Sequence, residues 1–375
     1  MNQNFQYQFL FIGNRENLYQ ELVTSLKEKL QELKISEQSL VCSFNDISMI
    51  KGNQPIVIVV GHDSPELPTQ YQDWINSSEL SVNIILPIYL EDFSKEITDK
   101  SLKRYNGVKY TSPEPIVSIV LEGFNLLRKQ RKLFISYRRT DSRQVALQLF
   151  GFFEERNFDV FLDSHSIPRG VDFQNNLFHR MMDCDAVLLL DTKDFLGSDY
   201  CKEELEKAIT NRIGILRIKW PDSINPPYTG LIDLYSLDHD CINADNLNDR
   251  ILEELSLRIE SLRVRSLASR QDALTTEFIE TASRKGKKAI QIYPNIIQIQ
   301  EDDATHIYFA AIGIPTSETF HYAEELLNNQ LKSGTQFTLI YDDLSLLQRW
   351  IDHLDWLSNR SKLSTLKKSQ FENEL

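Results

Sequence analysis

The stretch KLFISYRRTD, residues 132–141, decides the fold. Its apolar half, KLFISY, is typical of a buried strand. The polar residues that follow indicate the start of a helix, because Asp141 and Gln144 have the spacing of a capping box. The next apolar residues recur at helical spacing on one face: Val145, Leu149 and Phe152. A strand that leads into an amphipathic helix is the repeating unit of an α/β sheet.

The same alternation continues on the carboxyl side of this stretch. Helical patterns occupy residues 173–182 and 200–211, and residues 247–263 are predicted to form a closing helix. Strand-like apolar runs lie between them: FDVFLD (158–163), AVLLLD (186–191) and GILRIKW (214–220). This order of elements predicts a parallel sheet with crossover helices.

Residues 1–126 are predicted to form another α/β unit of the same kind. Three of its segments resemble segments of the unit just described, in the same order. FLFIGNREN resembles LFISYRRTD, PIVIVVGHDSPELPTQYQDW resembles AVLLLDTKDFLGSDYCKEEL, and VNIILPI resembles IGILRIK. We interpret the first unit as a distant, degenerate copy of the second. In this comparison, Ile75 or Asn76 stands where the second unit has Glu204.

The pattern of strand-like and helical segments in the rest of the chain predicts a smaller α+β unit that begins near Ser266. Its strand-like runs are KKAIQIYP, IIQIQ, THIYFAAIG and QFTLIYDD, and its helices are SETFHYAEELLNNQL and LSLLQRWIDHLDWLS. The terminal KKSQFENEL is expected to be frayed. The domain boundaries predicted are therefore 1–126, 127–263 and 264–375, with the last domain a candidate for sensing or assembly.

Composition narrows the classes of partner and compartment. The formal net charge is −13, which argues against nucleic acid as the main partner. No apolar run approaches the ~18 residues of a membrane span, and the N-terminal sequence does not resemble a signal peptide. The four cysteines are far apart and lack metal-ligand spacing: Cys42, Cys184, Cys201 and Cys241. We therefore predict a cytoplasmic protein with reduced thiols, no membrane contact and no metal site.

Residues 132 to about 262 resemble a TIR domain, the Toll/interleukin-receptor module. The resemblance rests on four blocks in order: FISYRRTD, FDVFLDSHSIPRGVDF, DCDAVLLLDTKDFLGSDYC and EEL. It covers the middle third of the chain and implies a flavodoxin-like parallel sheet wrapped by helices. The flanking units remain unidentified.

Many TIR domains cleave NAD+ at the nicotinamide–ribose bond, and this sequence is similar to that group. The family's catalytic glutamate lies three residues after the cysteine of a Ser-x-Trp-Cys-x-x-Glu stretch. In FLGSDYCKEELEKA (195–208), the matching residues are Ser198, Tyr200, Cys201 and Glu204, with tyrosine in place of tryptophan. The resemblance therefore implies that Glu204 is the catalytic acid.

The residue types suit this chemistry. Nicotinamide leaves as a neutral group from a positively charged nucleotide, so no acid is needed to protonate it. The ribose carbon becomes oxocarbenium-like, and a carboxylate beside the ribose hydroxyls can stabilise that charge. One glutamate therefore suffices, and NAD+ is a substrate rather than a cofactor.

Further residues are expected at the same pocket because strand ends of an open α/β sheet supply the crevice for ligands. Arginine can bind phosphate or hold a carboxylate in place. The substrate-binding candidates are Tyr137, Arg138, Arg139, Asp163, Gly170, Phe173, Ser198 and Tyr200. In the TIR family the loop that matches SHSIPRG packs against another TIR copy, which implies an assembly loop containing Pro168, Arg169 and Gly170.

Alternatives remain open for each residue. Glu204 can be a helix acid, Arg138 and Arg139 solvated charges, Asp163 a loop cap, and Tyr200 an aromatic at the edge of the core. At the level of function, the resemblance implies an assembly-activated NAD+ glycohydrolase in bacterial antiviral defence or signalling, with a linear or cyclic product. It would self-associate into filaments under an unknown activating signal. The alternative is a non-catalytic TIR scaffold, and a nucleoside-processing enzyme of related fold is a weaker third reading.

Overall fold

The computed structural model divides the chain into two compact units, residues 1–129 and 130–375. It describes residues 6–51, 55–61, 67–76, 82–162, 173–243, 246–301, 304–328, 335–344 and 346–375. No helix in these ranges is both long enough and apolar enough to cross a membrane. All four cysteines are free thiols.

The first unit is a five-stranded parallel sheet in the order β2-β1-β3-β4-β5. Its strands are β1 (Tyr7–Gly13), β2 (Leu40–Phe44), β3 (Ile56–Gly61), β4 (Val82–Tyr89) and β5 (Val108–Lys109). Its helices are α1 (Glu16–Glu32), α2 (Thr69–Asn76), α3 (Phe93–Glu96) and α4 (Pro113–Gly123). Every residue of β1 and β3 is buried, as expected for central strands covered by helices on both faces.

The second unit begins with another five-stranded parallel sheet, called here the TIR sheet because it is formed by the residues that resemble a TIR domain, in the order β10-β9-β8-β6-β7. Its strands are β6 (Arg131–Ser136), β7 (Phe158–Leu162), β8 (Ala186–Asp191), β9 (Gly214–Lys219) and β10 (Ile232–Ser236). Its helices are α5 (Arg139–Glu154), α6 (Phe173–Met182) and α7 (Asp199–Thr210). A two-stranded ribbon follows, β11 (Ile242–Asn243) with β12 (Asn246–Leu247).

The two parallel sheets have the same topology. When the strands of each are numbered along the chain, both follow the flavodoxin-like order 2-1-3-4-5. The predicted α/β class is thus confirmed for both regions. The two regions also share one sheet topology, as their sequence similarity predicted. Ile75 and Asn76 end α2, and their side chains lie outside the described residues.

A single helix, α8 (Asp249–Arg284), joins the TIR sheet to the carboxyl-terminal part. The prediction that this helix closes at residue 263 is wrong, because it continues for another 21 residues. No glycine or proline interrupts residues 249–284, so nothing in the sequence stops the helix. Its first half contributes Leu255 and Ile259 to the core under the TIR sheet, and its second half contributes Leu274 and Phe278 to a later core. The boundary proposed at 263/264 therefore falls inside one helix that serves both cores.

The carboxyl-terminal part is a mixed sheet in the order β13-β14-β15-β16-β17. Its strands are β13 (Ala289–Tyr293), β14 (Ile296–Glu301), β15 (Ala304–Ala311), β16 (Gln336–Tyr341) and β17 (Ser364–Lys367). Its helices are α9 (Ser317–Asn328), α10 (Gln348–Ser358) and α11 (Phe371–Glu374). The first three strands pair antiparallel and the last three parallel, which confirms the predicted α+β class.

The expectation of a frayed tail is wrong. Phe371 is buried, and its ring lies edge-on to Phe278 of α8 with centroids 5.2 Å apart. Glu372 forms an ion pair with Arg284 at the end of α8. Burying one phenylalanine contributes about 1.5–3 kcal/mol, and Lys368 adds ion pairs with Glu277 and Asp342.

Candidate functional site

The candidate site lies at the carboxyl edge of the TIR sheet, between β6 and β8. The strand order reverses between these two strands, and crevices for ligands form at such switch points. β6 ends at Ser136 and β8 ends at Asp191, and each strand is followed by a helix that begins at this edge. The segments that the sequence singled out around 136–141 and 198–204 therefore converge here.

Glu203 and Glu204 differ sharply in their surroundings. The Glu204 side chain is buried, with 2% of the residue exposed, and its Oε2 accepts a hydrogen bond of 2.5 Å from the Ser136 hydroxyl. Glu203 is exposed and accepts a hydrogen bond from the Gln174 side-chain amide. Only Glu204 points into the body of the domain from the face that meets β6, so the two adjacent acids are not equivalent.

Local structure explains why Glu204 lies on this face. Phe195 is fully buried in a short 3₁₀ turn that precedes α7, and this anchors the entrance of the helix. Ser198 is the N-cap, and its hydroxyl accepts from the Cys201 amide at 3.5 Å. Cys201 is buried three residues before Glu204, so both side chains lie on one helical face. The Cys201 thiol donates to the Tyr137 carbonyl, with sulfur and oxygen 3.8 Å apart.

The two tyrosines of the predicted site occupy opposite environments. The Tyr137 ring is buried in the core under the TIR sheet, so its backbone carbonyl is the part that contacts α7. Tyr200 is 62% exposed at the start of α7. Its ring is thus available to a molecule that approaches this edge, and stacking by Tyr200 stays a prediction.

The arginines after β6 lie in a polar cluster. Arg138 forms ion pairs with Asp141 at 3.1 Å and with Asp194 at 3.6 Å. Asp141 also accepts a hydrogen bond of 3.0 Å from the Thr192 hydroxyl. Burial would raise the pKa of Asp141, but hydrogen bonds from Thr140, Thr192 and Arg138 outweigh it and lower that pKa. Arg138 is thus paired with Asp141, whose lowered pKa favours the ionised form, and also contacts Asp194.

Of the remaining predicted site residues, most lie outside the part of the chain that the structure describes. Arg139 is exposed at the first position of α5. Asp163, Pro168, Arg169 and Gly170 lie outside the described residues, and so does the side chain of Phe173, which opens α6.

Two polar residues at this edge were missed by sequence reasoning. Ser136 lies within FISYRR but was not singled out, although a small polar residue at the end of an apolar strand is a usable signal. Asp191 is fully buried and binds Arg217 of β9, with 2.7 Å between the carboxylate and Nε. Ser223 and Asn225 donate to the same carboxylate, so this ion pair organises the segment after β9.

Helix α6 is tied to the carboxyl-terminal part of the same unit. The Ile314 amide donates to Asp183 at 3.0 Å, and the Leu347 amide donates to Nδ1 of His179 at 3.3 Å. The His179 ring stacks on Trp350 with centroids 5.7 Å apart. Arg270 of α8 donates to two carbonyls that follow from α6: those of Met182 and Cys184. The second half of α6 and the residues directly after it are therefore bound by later segments.

The strand order defines a flavodoxin-like α/β domain, and the contact of Ser136 with Glu204 places a polar pair at its switch point. Residues 133–252 match the family described as TIR domain, so the middle of the chain is a TIR domain. The flanking regions are not covered by this match.

Comparison with curated proteins found no match. Among solved structures, the chain is similar to the TIR domains in the "Structure of the activated Roq1 resistosome directly recognizing the pathogen effector XopQ". The identity is 16% and the TM-score 0.24, over 37% of this chain and 84% of that chain. A score this low supports no inference about function. Within the described ranges, no three His, Cys, Asp or Glu side chains converge as a metal site would require.

Proposed function

We propose that this chain is an NAD+ glycohydrolase that cleaves the nicotinamide–ribose bond, with Glu204 as the catalytic residue. The observation that carries the proposal is the burial of the Glu204 carboxylate at the switch point of a TIR sheet, under a hydrogen bond from Ser136. The adjacent Glu203, which would serve equally well as a helix acid, is exposed. A buried carboxylate loses solvation, and such a cost is commonly met at functional sites.

The chemistry needs one well-placed anion. The bond between ribose C1′ and the nicotinamide nitrogen breaks, and both electrons leave with neutral nicotinamide. Glu204 stabilises the positive charge that develops on the ribose, and its effect is large where water is excluded. Water then adds to C1′ and releases a proton to give ADP-ribose, whereas attack by an atom of the adenine ring gives a cyclic product.

Arg138 has the chemistry to bind the dinucleotide phosphates. It lies at the N-terminus of α5, where backbone amides and the helix dipole also favour an anion. Its present carboxylate partners, Asp141 and Asp194, hold the guanidinium at the carboxyl edge of the sheet. Tyr200 is exposed on the opposing helix and supplies a surface for a ring of the substrate.

The test is to incubate the purified chain with NAD+ and follow nicotinamide by chromatography, with mass spectrometry of the second product. Nicotinamide release together with linear or cyclic ADP-ribose supports the proposal. Complete recovery of NAD+ over a wide range of protein concentrations contradicts it and favours the scaffold alternative, in which the domain only recruits other TIR copies.

We further propose that activity depends on assembly through the segment SHSIPRG, residues 164–170, which contains Pro168, Arg169 and Gly170. A head-to-tail contact does not close on itself, so it produces filaments. The support within the chain is that α6 starts at Phe173, close after this segment, and is bound by the carboxyl-terminal part through His179 and, directly after the helix, Asp183. The carboxyl-terminal part can therefore influence the helix adjoining the assembly segment.

This proposal predicts that specific activity rises with protein concentration. Sedimentation and nicotinamide release are measured together over a dilution series. Gly170→Arg is expected to lower assembly and activity in parallel, and a change of the exposed Lys193 to Ala at the same edge serves as control. Constant specific activity from a stable monomer would contradict the proposal, as would a fully active Gly170→Arg variant that does not assemble.

A further inference from the structure

We propose that Ser136 is a positioning residue that holds Glu204 in its reactive orientation. The inference rests on the proposed function and goes beyond it, because it assigns a role to a residue that the resemblance did not single out. It is based on the juxtaposition of the end of β6 with the buried face of α7.

The contact is short and enclosed. The Ser136 hydroxyl donates to Glu204 Oε2 at 2.5 Å, and the two residues are 1% and 2% exposed. Hydrogen bonds from a hydroxyl to an ionised carboxylate are typically about 2.5–2.7 Å long, shorter and stronger than those between neutral groups. The hydroxyl therefore favours the ionised form of Glu204, which is the form that stabilises an oxocarbenium-like ribose.

A second contact also joins the end of β6 to the buried face of α7. Tyr137, the residue directly after β6, accepts through its carbonyl from the thiol of Cys201, which lies three residues before Glu204 on α7. Residues 136 and 137 thus contact residues 204 and 201 on one face of α7. This pair of contacts fixes the face that α7 turns towards the end of β6, and the Ser136 hydroxyl is the member of the pair that reaches the carboxylate.

Substitution of Ser136 has different expected results for the two roles that its hydrogen bond to Glu204 can have, a purely structural role and a positioning role. Loss of a structural hydrogen bond lowers stability and leaves the chemistry of the folded enzyme unchanged. Loss of a positioning hydrogen bond lowers kcat in the folded enzyme and leaves substrate binding largely intact. The two roles separate when kinetics and stability are measured on the same variants.

The variants are Ser136→Ala, which removes the hydroxyl, and Ser136→Thr, which restores it. Ser266→Ala is the matched control: Ser266 is also 1% exposed, but its hydroxyl accepts from the Gly214 amide at the start of β9, the opposite edge of the sheet. For Ser136→Ala we expect kcat to fall about 10- to 100-fold with KM changed by less than about threefold. Ser266→Ala should lose stability and keep kcat, and Ser136→Thr should recover part of the lost rate.

A second readout does not need turnover. In protein labelled with ¹³C at the glutamate carboxyl carbons, the Glu204 resonance is assigned by its absence from Glu204→Gln. Two titratable residues lie beside this contact, Tyr137 directly after β6 and Cys201 on α7, and both variants leave them unchanged. The titration midpoint of the resonance should move to higher pH in Ser136→Ala and stay unchanged in Ser266→Ala.

Wild-type kcat in Ser136→Ala, together with an unmoved carboxyl titration, would overturn the inference. If Glu204→Gln is inactive in the same experiment, the proposed function stands and only the role of Ser136 falls. If the wild-type chain does not cleave NAD+, the proposed function fails, and the carboxyl titration still decides whether Ser136 controls Glu204.

Discussion

At the scale of single residues, the central result is that two adjacent glutamates have different environments. Helical geometry alone places Glu204 on the face shared with Cys201 and Glu203 on the face that meets Gln174. The alternative that Glu204 is only a helix acid does not account for its burial, because a dipole effect needs no enclosed carboxylate and is largest near the first turn. An enclosed acid is instead what an electrostatic role in a shielded site requires.

Arg138 provides a residue-scale prediction about binding. Arg138→Ala removes the guanidinium that Asp141 and Asp194 hold at the carboxyl edge of the sheet. We expect KM for NAD+ to rise about tenfold, with a smaller change in kcat, because phosphate contacts contribute equally to ground state and transition state. The control is Arg143→Ala, an exposed arginine further along α5. Unchanged KM in Arg138→Ala would make it a surface charge.

At the scale of elements, α8 is the feature that links the TIR sheet to the mixed sheet. Its apolar residues pack into one core before about residue 264 and into another after about residue 274. A helix shared by two cores couples their stabilities, because unfolding either half exposes apolar surface of the other. The prediction of separate second and third domains is therefore open to a direct test.

The test is a break in the middle of α8. Ala268→Pro costs about 3 kcal/mol or more in a helix interior, whereas Ala268→Ser costs only a few tenths. We expect urea unfolding of residues 130–375 in the wild-type chain to follow one transition, and Ala268→Pro to separate it into two. A wild-type profile that is already biphasic over this region would contradict coupling through α8.

Sequence reasoning worked best where a periodic pattern was long and uninterrupted. KLFISY and AVLLLD became the central strands β6 and β8, and residues 173–182 became α6 as predicted. It was wrong about where elements end. The predicted end of α8 came too early, and the tail predicted to be frayed is anchored by Phe371. Periodicity reports which residues are apolar, but termination depends on packing between distant segments.

The site was only partly predictable for the same reason. Glu204 became a candidate through the resemblance of SDYCKEE to the family's Ser-x-Trp-Cys-x-x-Glu stretch, which is local in sequence. Its partner Ser136 is 68 residues away, and the contact exists only because β6 and α7 meet at the switch point. The ion pair of Asp191 with Arg217 likewise joins residues on two strands. Such pairs follow from the three-dimensional arrangement and not from any pattern along the chain.

At the scale of the whole molecule, we expect the contact between α6 and the carboxyl-terminal part to weaken at low pH, because it includes His179. Burial lowers the pKa of His179 to about 4; Asp183 opposes this shift, while Arg180, Arg349 and Lys132 add to it. The neutral ring accepts from the Leu347 amide through Nδ1, and a protonated ring carries a hydrogen there and cannot accept.

The sign of the pH effect follows from this lowered pKa. The unfolded chain takes up a proton on His179 near pH 6.5 and the folded chain only near pH 4. The stabilisation is therefore complete above about pH 6.5 and is lost as pH falls towards 4, by a total on the order of 1–3 kcal/mol. Urea unfolding at pH 7 and pH 5 measures this loss of stability.

In His179→Gln this part of the pH dependence should disappear, and in the exposed control His353→Gln it should persist. Equal pH dependence in wild type and His179→Gln would rule out this role.

The role of Glu204 is tested by the rate of nicotinamide release by the wild-type chain, Glu204→Gln and Glu203→Gln at one protein concentration. Both substitutions keep the size of the side chain and remove its charge, and the two residues are neighbours on α7. If the buried carboxylate stabilises the developing charge on the ribose, Glu204→Gln will be slower by about 10²-fold or more, and Glu203→Gln will stay close to wild type. Equal rates for wild type and Glu204→Gln, or equal losses in both variants, would contradict the assignment of Glu204 as the catalytic residue.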